Sequence, residues 1–341
     1  MNHYDLVLVG FGNVGRAFVR LLQRKQNDLQ SSYGLSFSIT GIATSRHGMA
    51  INPLGLDLNQ ALTISEQGGS LSSLTTCPLP STILEFIRTC PGQVFFENSP
   101  VNHQTGQPAI DHLSAALEMG MHCVTANKGP VVHGYQALTT LAVAHKRRFM
   151  FESAVMDGAP IFSLFREPLP AANLLGLKGI LNSCTNLLLT RMEQGATFDQ
   201  AVDYARSIGI TETDPSADID GWDAAIKLAA LSTVLMGVSL KPQQVDRQGI
   251  RGITPQMIEN ARQSGKRWKL VCSAHRVNGE LVASVAPQMV SSDSPLYSVN
   301  GTSSYVEFEL DVLPGLGILE NNPSPETTAY GLLADFINAV R

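Results

Sequence analysis

The chain has 341 residues, 44% of them hydrophobic and 16% charged, and a formal net charge of −5. This length predicts two domains of ordinary size, and the hydrophobic content excludes a disordered chain. The acidic balance and the lack of a long basic run exclude a nucleic-acid-binding protein. The low charge content favours an oligomer.

The cysteine content and the apolar runs bear on the cellular compartment of the protein and on whether it spans a membrane. Five scattered cysteines without a CxxC pair predict neither a disulfide framework nor a structural zinc site, and they fit a reducing compartment. The longest apolar stretch, residues 228–240, is shorter than the ~20 residues that a membrane span needs. The first residues carry no basic region typical of a signal peptide. We therefore expect a cytoplasmic protein without a membrane partner.

Residues 1–151 alternate between short apolar strands and helices. The predicted strands are 6–9, 37–43, 94–96, 122–125 and 149–152, and the predicted helices are 14–22, 109–119, 135–145 and a segment around 84–87. Continuous apolar strands separated by helices are typical of a doubly wound parallel sheet of the Rossmann type, an α/β fold. Residues 45–80, rich in Ser, Gly, Thr and Pro, are expected to form loops and irregular structure.

The pattern changes after residue 151 and predicts an α+β domain over 152–313. Residues 197–200 fit a capping box that opens a helix, and a longer helix is predicted from 222 to about 236. The predicted strands are 268–275, 281–285 and 304–312, and a last helix covers 326–340. We expect the region 314–341 to pack back on the first domain, 1–151.

A glycine-rich loop follows the first predicted strand. It consists of Gly10, Phe11, Gly12, Asn13, Val14 and Gly15, which match GxGxxG. Such glycines allow a tight turn and a close approach of the backbone to a pyrophosphate, which the helix N-terminus then faces. A bare GxGxxG also fits a plain glycine-rich turn, but its place between a strand and a helix favours dinucleotide binding.

The end of the second strand bears on the choice of cofactor. An Asp or Glu there would hold the ribose 2′-hydroxyl of NAD, whereas an Arg accommodates the 2′-phosphate of NADP. The segment contains Ser45 and Arg46 and no carboxylate. It therefore favours NADP over NAD, although an arginine on a loop is also commonly just solvated.

Five carboxylates and one lysine lie between residues 212 and 227. Asp223 and Lys227 are four residues apart on the predicted helix and share a face. A lysine partly desolvated beside an acid is a plausible proton donor, but spacing alone favours an ordinary exposed ion pair, and the pattern does not fit a calcium loop. A second lysine, Lys128, follows a strand of the first domain at the carboxyl end, where open α/β sheets bind ligands.

Taken in order, these motifs resemble homoserine dehydrogenase. They are the glycine loop and residues 125–128, 152–160, 179–186 and 212–227, the last reading E-x-D-P-x-x-D-x-x-G-x-D-x-x-x-K. The resemblance implies NAD(P)-dependent interconversion of L-homoserine and L-aspartate 4-semialdehyde, in threonine and methionine biosynthesis. It also implies a small amino-acid substrate and a dimer interface in the second domain.

The resemblance further implies roles for single residues. Lys227 would be the general acid/base with Lys128 in the same site, and which of the two moves the proton stays open. Glu212 would hold the substrate amino group, Asp223 would orient the substrate or Lys227, and Asp218 would support the site. Further contacts would come from Ser183 and Cys184 to the substrate, from Asn98 and Ser99 to the nicotinamide, and from carbonyls of Glu152, Val155, Asp157 and Ala159 to Na⁺ or K⁺.

Departures from the family pattern keep alternatives open. Ser183-Cys184 replaces Gly-Thr, Ile210 replaces a tyrosine, and residues 320–323 replace a glycine-rich turn. These changes allow a dehydrogenase of another amino-acid aldehyde or alcohol. A non-enzymatic NADP-sensing protein or a ligand-free structural protein would have no need for both lysines and the acidic block. With no fused kinase or C-terminal regulatory domain in sight, we expect no threonine feedback inhibition through such a domain.

Overall fold

The structure, a computed structural model, describes residues 1–211 and 214–341. These residues form two compact units, one of Met1–Pro160 with Ser324–Arg341 and one of Ile161–Pro323. Within the described ranges, no helix is long and apolar enough to cross a membrane.

The first unit alternates strands and helices. Its elements before the last helix are β1 (Asn2–Val9), α1 (Asn13–Arg24), α2 (Gln26–Tyr33), β2 (Leu35–Ala43), β3 (Met49–Ile51), α3 (Leu58–Glu66), α4 (Ile83–Thr89), β4 (Val94–Glu97), α5 (Ala109–Glu118), β5 (His122–Thr125), α6 (Lys128–His133), α7 (Tyr135–Ala144) and β6 (Phe149–Met150), with a 3₁₀ turn at Leu71–Leu74 and another at Glu152–Ala154. The strand order is β3-β2-β1-β4-β5-β6, with all pairs parallel except β2 with β3. The predicted Rossmann-type doubly wound sheet is confirmed.

This strand order determines where a ligand fits. The connection from β1 runs to β2 on one side, and β4 pairs on the other side of β1. The carboxyl ends of β1 and β4 thus border the point where the strand order reverses, which is where open α/β sheets bind ligands. Gly10 follows β1 and Asn98 follows β4, so two of the predicted cofactor positions lie at this point.

The expectation of irregular structure over 45–80 is wrong in part, because strand β3 and helix α3 form there. Asp57 caps α3, since its side chain accepts a hydrogen bond from the Gln60 amide at 3.0 Å. Ala61, Leu62 and Ser65 are buried on one side of this helix. An apolar stripe interrupted by polar residues therefore sufficed once the helix could pack. The predicted strand 149–152 is likewise shorter, because Glu152–Ala154 turns as a 3₁₀ helix.

The second unit combines helices with a mixed sheet. Its elements are α8 (Phe162–Arg166), β7 (Leu174–Ile180), α9 (Ser183–Glu193), α10 (Phe198–Ser207), α11 (Ser216–Ile219), α12 (Trp222–Leu235), β8 (Asp246–Arg247), α13 (Pro255–Gln263), β9 (Lys266–Val277), β10 (Glu280–Ser291), β11 (Ser304–Leu310) and β12 (Leu316–Glu320), with 3₁₀ turns at Pro242–Gln244 and Pro295–Ser298. The sheet order is β12-β11-β7-β9-β10-β8, antiparallel except for β8 with β10. The predicted α+β class of this unit is confirmed.

Local signals explain several of these elements. Thr197 and Gln200 form the predicted capping box of α10, with the Thr197 side chain accepting from the Gln200 amide at 3.2 Å. Helix α13 was not predicted, although Thr254 caps it and Pro255 occupies its first turn. Helix α12 is apolar nearly all round, as expected for a helix buried on several sides.

Helix α14 (Pro325–Val340) belongs to the first unit and ends the chain. Phe336 lies edge-on to Tyr4 and Phe96, with ring centroids 6.1 and 6.3 Å apart, respectively. Phe96 in turn packs against Phe18 at 4.5 Å. The helix therefore completes the core on one face of the parallel sheet.

Candidate active site

The glycine loop forms the sharp turn from β1 into α1. Gly10 has φ +96°, and its N–H donates to the Ala43 carbonyl at 2.9 Å. A Cβ at Gly10 would lie 2.3 Å from the Asn98 carbonyl oxygen, and one at Gly15 would lie 2.6 Å from the Gly10 carbonyl oxygen. A Cβ at Gly12, in contrast, would meet nothing within 4 Å. Gly10 and Gly15 are therefore needed by the protein itself, whereas Gly12 keeps space open beside the N-terminus of α1.

The remaining residues of the loop hold its shape. Phe11 is buried, and its carbonyl accepts a hydrogen bond from the Arg16 guanidinium at 3.1 Å. Arg16 also donates to the Asn13 side chain at 2.9 Å. Asn13 and Val14 open α1, whose free N–H groups and dipole favour an anion.

Asn98 and Ser99 present unused polar atoms beside this loop. The Asn98 N–H donates to the Val9 carbonyl at 2.8 Å, which fixes the backbone next to Gly10. Both side-chain amide atoms of Asn98 and the Ser99 hydroxyl are buried yet have no hydrogen-bond partner among the described residues. Buried polar groups are normally paired, so these atoms suit a polar ligand such as a carboxamide. Together with the open space at Gly12, the residues fit a nicotinamide dinucleotide.

The turn after β2 carries Ser45 and Arg46, and both are exposed. The turn is closed by Thr44, whose N–H donates to the Gly48 carbonyl and whose hydroxyl accepts from the His47 N–H. Arg46 makes no hydrogen bond or ion pair with any residue that the structure describes. Its guanidinium is thus available to an anion at the end of β2.

Lys128 opens α6, directly after β5 and its cap residue Asn127. The Asn127 side chain accepts from the Gly129 N–H at 3.0 Å and donates to the Ser99 carbonyl at 3.1 Å. The segment that carries Lys128 is thereby tied to the loop that follows β4. Lys128 itself is half-buried.

Four side chains of the second unit converge beside the end of β7. Asn182 caps α9, and its amide donates to Asp218 Oδ1 at 2.7 Å and to Asp223 Oδ2 at 2.9 Å. Lys227 Nζ lies 3.0 Å from Asp223 Oδ2 and donates to the Leu181 carbonyl at 2.9 Å. The side chains of Lys227 and Asp223 are only 17% and 14% exposed, respectively. This pair is consequently not the ordinary exposed ion pair that spacing alone favoured.

The electrostatics of the cluster centre on Asp218. Burial raises the pKa of its carboxyl above the ordinary value, and the neighbouring Asp223 carboxylate raises it further. Hydrogen bonds from Asn182 and from the Thr211 hydroxyl, the latter at 3.0 Å, act in the opposite direction. Two carboxylates, one amide and one ammonium thus share a small, partly dry volume, in which proton positions respond strongly to a ligand.

Ser183 and Cys184 begin α9 next to Asn182. The Ser183 hydroxyl hydrogen-bonds with that of Ser304 at 3.2 Å. Cys184 is buried, and burial raises the pKa of its thiol well above the ordinary value. A thiol that resists ionisation is a packing group rather than a nucleophile.

Two predicted sites gain less from the structure. Glu212 lies outside the described residues. In the segment from Glu152 to Ala159, Met156 and Asp157 have φ of +54° and +48°, and Thr327 donates to the Asp157 carboxylate at 3.0 Å. The segment is therefore a sharply bent loop, and the cation site made of its carbonyls stays a prediction. Among the described residues, no cluster of His, Cys, Asp and Glu side chains could hold a metal.

Sequence reasoning assigned no role to Asn182 or to Glu97. Asn182 bridges two carboxylates that lie 36 and 41 positions further along the chain, and Glu97 ends an apolar strand. An asparagine between a strand and a helix is a recognisable cap signal, but it does not reveal the long-range contacts. Only the folded arrangement shows them.

The fold and these sites define a two-unit enzyme with a dinucleotide-binding domain. The family model for the homoserine dehydrogenase NAD-binding domain matches residues 10–152, and the model for homoserine dehydrogenase matches residues 160–337. The chain therefore belongs to the homoserine dehydrogenase family, a family of NAD(P)-dependent oxidoreductases, and the resemblance predicted from the sequence is confirmed.

Individual relatives agree over nearly the whole chain. The NAD(+)-dependent homoserine dehydrogenase of Pseudomonas canavaninivorans is 33% identical over 99% of this chain and 96% of its own length. The homoserine dehydrogenase of Methanocaldococcus jannaschii is 34% identical over 98% of each chain. A hyperthermophilic archaeal homoserine dehydrogenase, solved in complex with NADPH, superposes with a TM-score of 0.83 at 28% identity and covers 99% of this chain and 98% of its own.

Proposed function

We propose that this chain catalyses the reversible oxidation of L-homoserine to L-aspartate 4-semialdehyde with NAD(P). The observation that carries the proposal is the partly buried cluster of Asn182, Asp218, Asp223 and Lys227 in a member of this family. Bound in the first unit, the nicotinamide supplies the hydride acceptor or donor. The protein must then bind the amino acid, orient it, and move one proton at its terminal oxygen.

Lys227 is proposed to move that proton. Its Nζ is held from two sides, by the Asp223 carboxylate at 3.0 Å and by the Leu181 carbonyl at 2.9 Å. An ammonium held from two sides has a fixed orientation, which favours proton transfer to an oxygen in a defined position. In the direction of reduction, the same charge stabilises the alkoxide as it forms. Lys128 is proposed as a second cation for the reaction, and comparison of the two lysine variants decides which one transfers the proton.

The acidic residues are proposed to recognise the amino acid. Glu212 holds the substrate ammonium, and Asp218 supports the site through Asn182. Ser183 and Cys184 contribute through the turn at the start of α9. Asp223 orients Lys227 directly, as its 3.0 Å contact indicates. Because the carboxylates outnumber the cations here, a substrate ammonium would also relieve the repulsion between Asp218 and Asp223.

NADP is proposed as the preferred cofactor and NAD as the alternative. The support is Arg46, exposed without a described partner, next to Ser45 in a turn without a carboxylate. The relatives do not decide the question, because one is named as NAD(+)-dependent and another was solved with NADPH. We also propose a homodimer, supported by the low charge content and by exposed apolar side chains of the second unit at Leu175, Val282 and Met289. A cytoplasmic location is proposed from the five scattered cysteines without a CxxC pair, which fit a reducing compartment. A Na⁺ or K⁺ ion at the carbonyls of residues 152–159 completes the proposal.

The test is the absorbance of reduced nicotinamide at 340 nm. Purified protein is mixed with L-homoserine and with NADP or NAD in turn, beside a panel of other amino-acid alcohols. Homoserine-dependent reduction supports the proposal, and the ratio of kcat/KM for the two cofactors ranks them. Reduction with another amino-acid alcohol but not with homoserine would refute the substrate assignment, and a single species of monomer mass in light scattering would refute the dimer.

A further inference from the structure

Glu97 is a buried carboxylate that the proposed reaction does not use. It ends β4, directly before Asn98 and Ser99, and its side chain is fully buried. Placing a carboxylate in a strand of the parallel sheet is costly unless its oxygens are hydrogen-bonded. The residues that satisfy it therefore show what the burial accomplishes.

The two oxygens of Glu97 bind two different loops. Oε1 accepts the Ser99 N–H at 3.2 Å, in the loop that follows β4. Oε2 accepts the Asn127 side-chain amide at 3.2 Å, in the loop that follows β5 and leads into Lys128. His112 of α5 adds its Nδ1 at 3.5 Å from Oε1. One carboxylate thus connects the predicted nicotinamide loop to the segment that carries a proposed catalytic lysine.

The neighbouring contacts make this connection rigid. The Asn127 amide also donates to the Ser99 carbonyl at 3.1 Å, so Glu97, Ser99 and Asn127 close a ring of hydrogen bonds. The Thr125 hydroxyl donates to the Glu97 carbonyl at 2.7 Å and accepts the Asn127 N–H at 3.0 Å. With backbone and side chain both engaged, neither loop can shift without breaking a buried hydrogen bond.

The same ring leaves other polar atoms unused. The Asn98 amide and the Ser99 hydroxyl are buried without a partner among the described residues. The backbone of these residues is fixed by Glu97 and by Val9, while their side chains stay available to a ligand. A fixed backbone with available side chains is the arrangement expected where one residue orients another toward a reacting group.

We propose that Glu97 is a positioning residue that holds the nicotinamide loop and the Lys128 segment in one fixed register. It touches neither substrate nor cofactor and acts through Ser99 and Asn127. The inference rests on the proposed function for its kinetic consequence, because a hydride and a proton must be transferred in one geometry. Its expected signature is a loss of kcat rather than of substrate binding.

The test variant is Glu97→Gln, which keeps the size of the side chain. Both oxygens of Glu97 accept hydrogen bonds. The NH2 group of a glutamine would therefore face either the Ser99 N–H or the Asn127 side-chain NH2 group, which places two donors against each other. If the Asn127 amide turned over to avoid this, its NH2 group would face the Gly129 N–H and its oxygen would face the Ser99 carbonyl, so two hydrogen bonds would be lost there. The matched control is Thr40→Val, which removes a fully buried hydroxyl of the same unit that donates to the Leu6 and Pro91 carbonyls.

We expect E97Q to lose kcat on the order of 10²-fold, with the KM for homoserine within threefold of wild type and the affinity for NADPH lowered about tenfold. T40V should keep kcat even where its melting temperature falls as far as that of E97Q. A kcat of E97Q within threefold of wild type, or an equal loss of kcat in T40V, would overturn the proposal. If E97Q does not fold, Asn127→Ala decides by the same measurements.

The outcome also separates this proposal from the proposed function. If the wild type does not oxidise homoserine, the substrate assignment fails and Glu97 is judged by NADPH binding alone. A tenfold higher dissociation constant of E97Q for NADPH, with that of T40V unchanged, would then still support the positioning role. Equal dissociation constants in all three proteins would refute it.

Discussion

Gly10 and Gly12 stand two residues apart in one loop, and we predict opposite effects for alanine at the two positions. At Gly10 the backbone has φ +96°, which costs an L-residue roughly 1–2 kcal/mol. The added Cβ would also lie 2.3 Å from the Asn98 carbonyl oxygen and 2.4 Å from its carbon, both backbone atoms. Relieving that overlap adds about 1–3 kcal/mol, so Gly10→Ala should destabilise the first unit by about 2–5 kcal/mol.

At Gly12 the backbone has φ −76° and ψ −157°, an extended conformation that alanine adopts freely, and the Cβ would meet no atom within 4 Å. Gly12→Ala should therefore leave stability unchanged or raise it by about 0.4–1 kcal/mol through the unfolded chain. The methyl group would instead occupy the space proposed for the pyrophosphate. A cost of about 1.4 kcal/mol there corresponds to a tenfold weaker cofactor complex, and we predict at least that loss.

The assay combines thermal unfolding with a fluorescence titration of NADPH. For a unit of this size, 1 kcal/mol shifts the melting temperature by about 2–4 °C, so G10A should melt about 4–20 °C lower than wild type and G12A should not. G12A should bind NADPH at least tenfold more weakly than wild type. Wild-type affinity in G12A, or destabilisation of G12A as large as that of G10A, would refute the assignment of this loop to the pyrophosphate.

Three further predictions concern other parts of the molecule. Asn182→Ala removes the hydrogen bond from Asn182 that lowers the pKa of Asp218. The acidic limb of the profile of kcat/KM against pH should therefore move to higher pH, and kcat/KM at pH 7 should fall about tenfold or more; an acidic limb at the wild-type pH would contradict this. Arg46→Ala should raise the KM for NADP about tenfold and leave that for NAD unchanged, whereas the exposed Arg88→Ala serves as the control; equal effects on both cofactors would contradict it. Burial lowers the pKa of Lys269 from 10.5 to about 8, so the unfolded chain binds a proton that the folded chain has released between these values, and stability rises with pH there. Between pH 8 and 10, the free energy of unfolding measured in urea should therefore rise by about 2 kcal/mol more in wild type than in Lys269→Met. Parallel plots of this free energy against pH for the two proteins would contradict the prediction.

The nucleotide-binding unit could be predicted from the sequence in most of its elements. Its strands are buried on both faces and therefore contain continuous apolar runs, such as residues 6–9 and 94–96. Helix α3 escaped prediction because its apolar residues lie among Asn, Gln, Thr and Ser, and its stability comes from packing rather than from propensity. In the second unit, β12 and α13 were missed for a similar reason, since alternation and capping signals in short segments are weak.

Within the candidate site, only contacts between residues close together in the chain could be predicted. Asp223 and Lys227 are neighbours on one helix turn, so their contact follows from spacing. The contacts of Asn182 with Asp218 and Asp223, and that of Glu97 with Asn127, join segments that are far apart in the chain and meet only in the folded protein. The partial burial of Lys227 likewise does not follow from the spacing, and it distinguishes the pair from an exposed surface contact.

The most direct test of the central claim is the initial rate of homoserine oxidation by wild type and Lys227→Met at saturating cofactor. Exposed Lys266→Met is the matched control for loss of a lysine in the same unit, and NADPH titration verifies that each variant still binds cofactor. We predict a loss of kcat on the order of 10²–10⁴-fold in K227M, with NADPH affinity unchanged and K266M at the wild-type rate. A K227M rate within a few fold of wild type would contradict the assignment of proton transfer to this cluster.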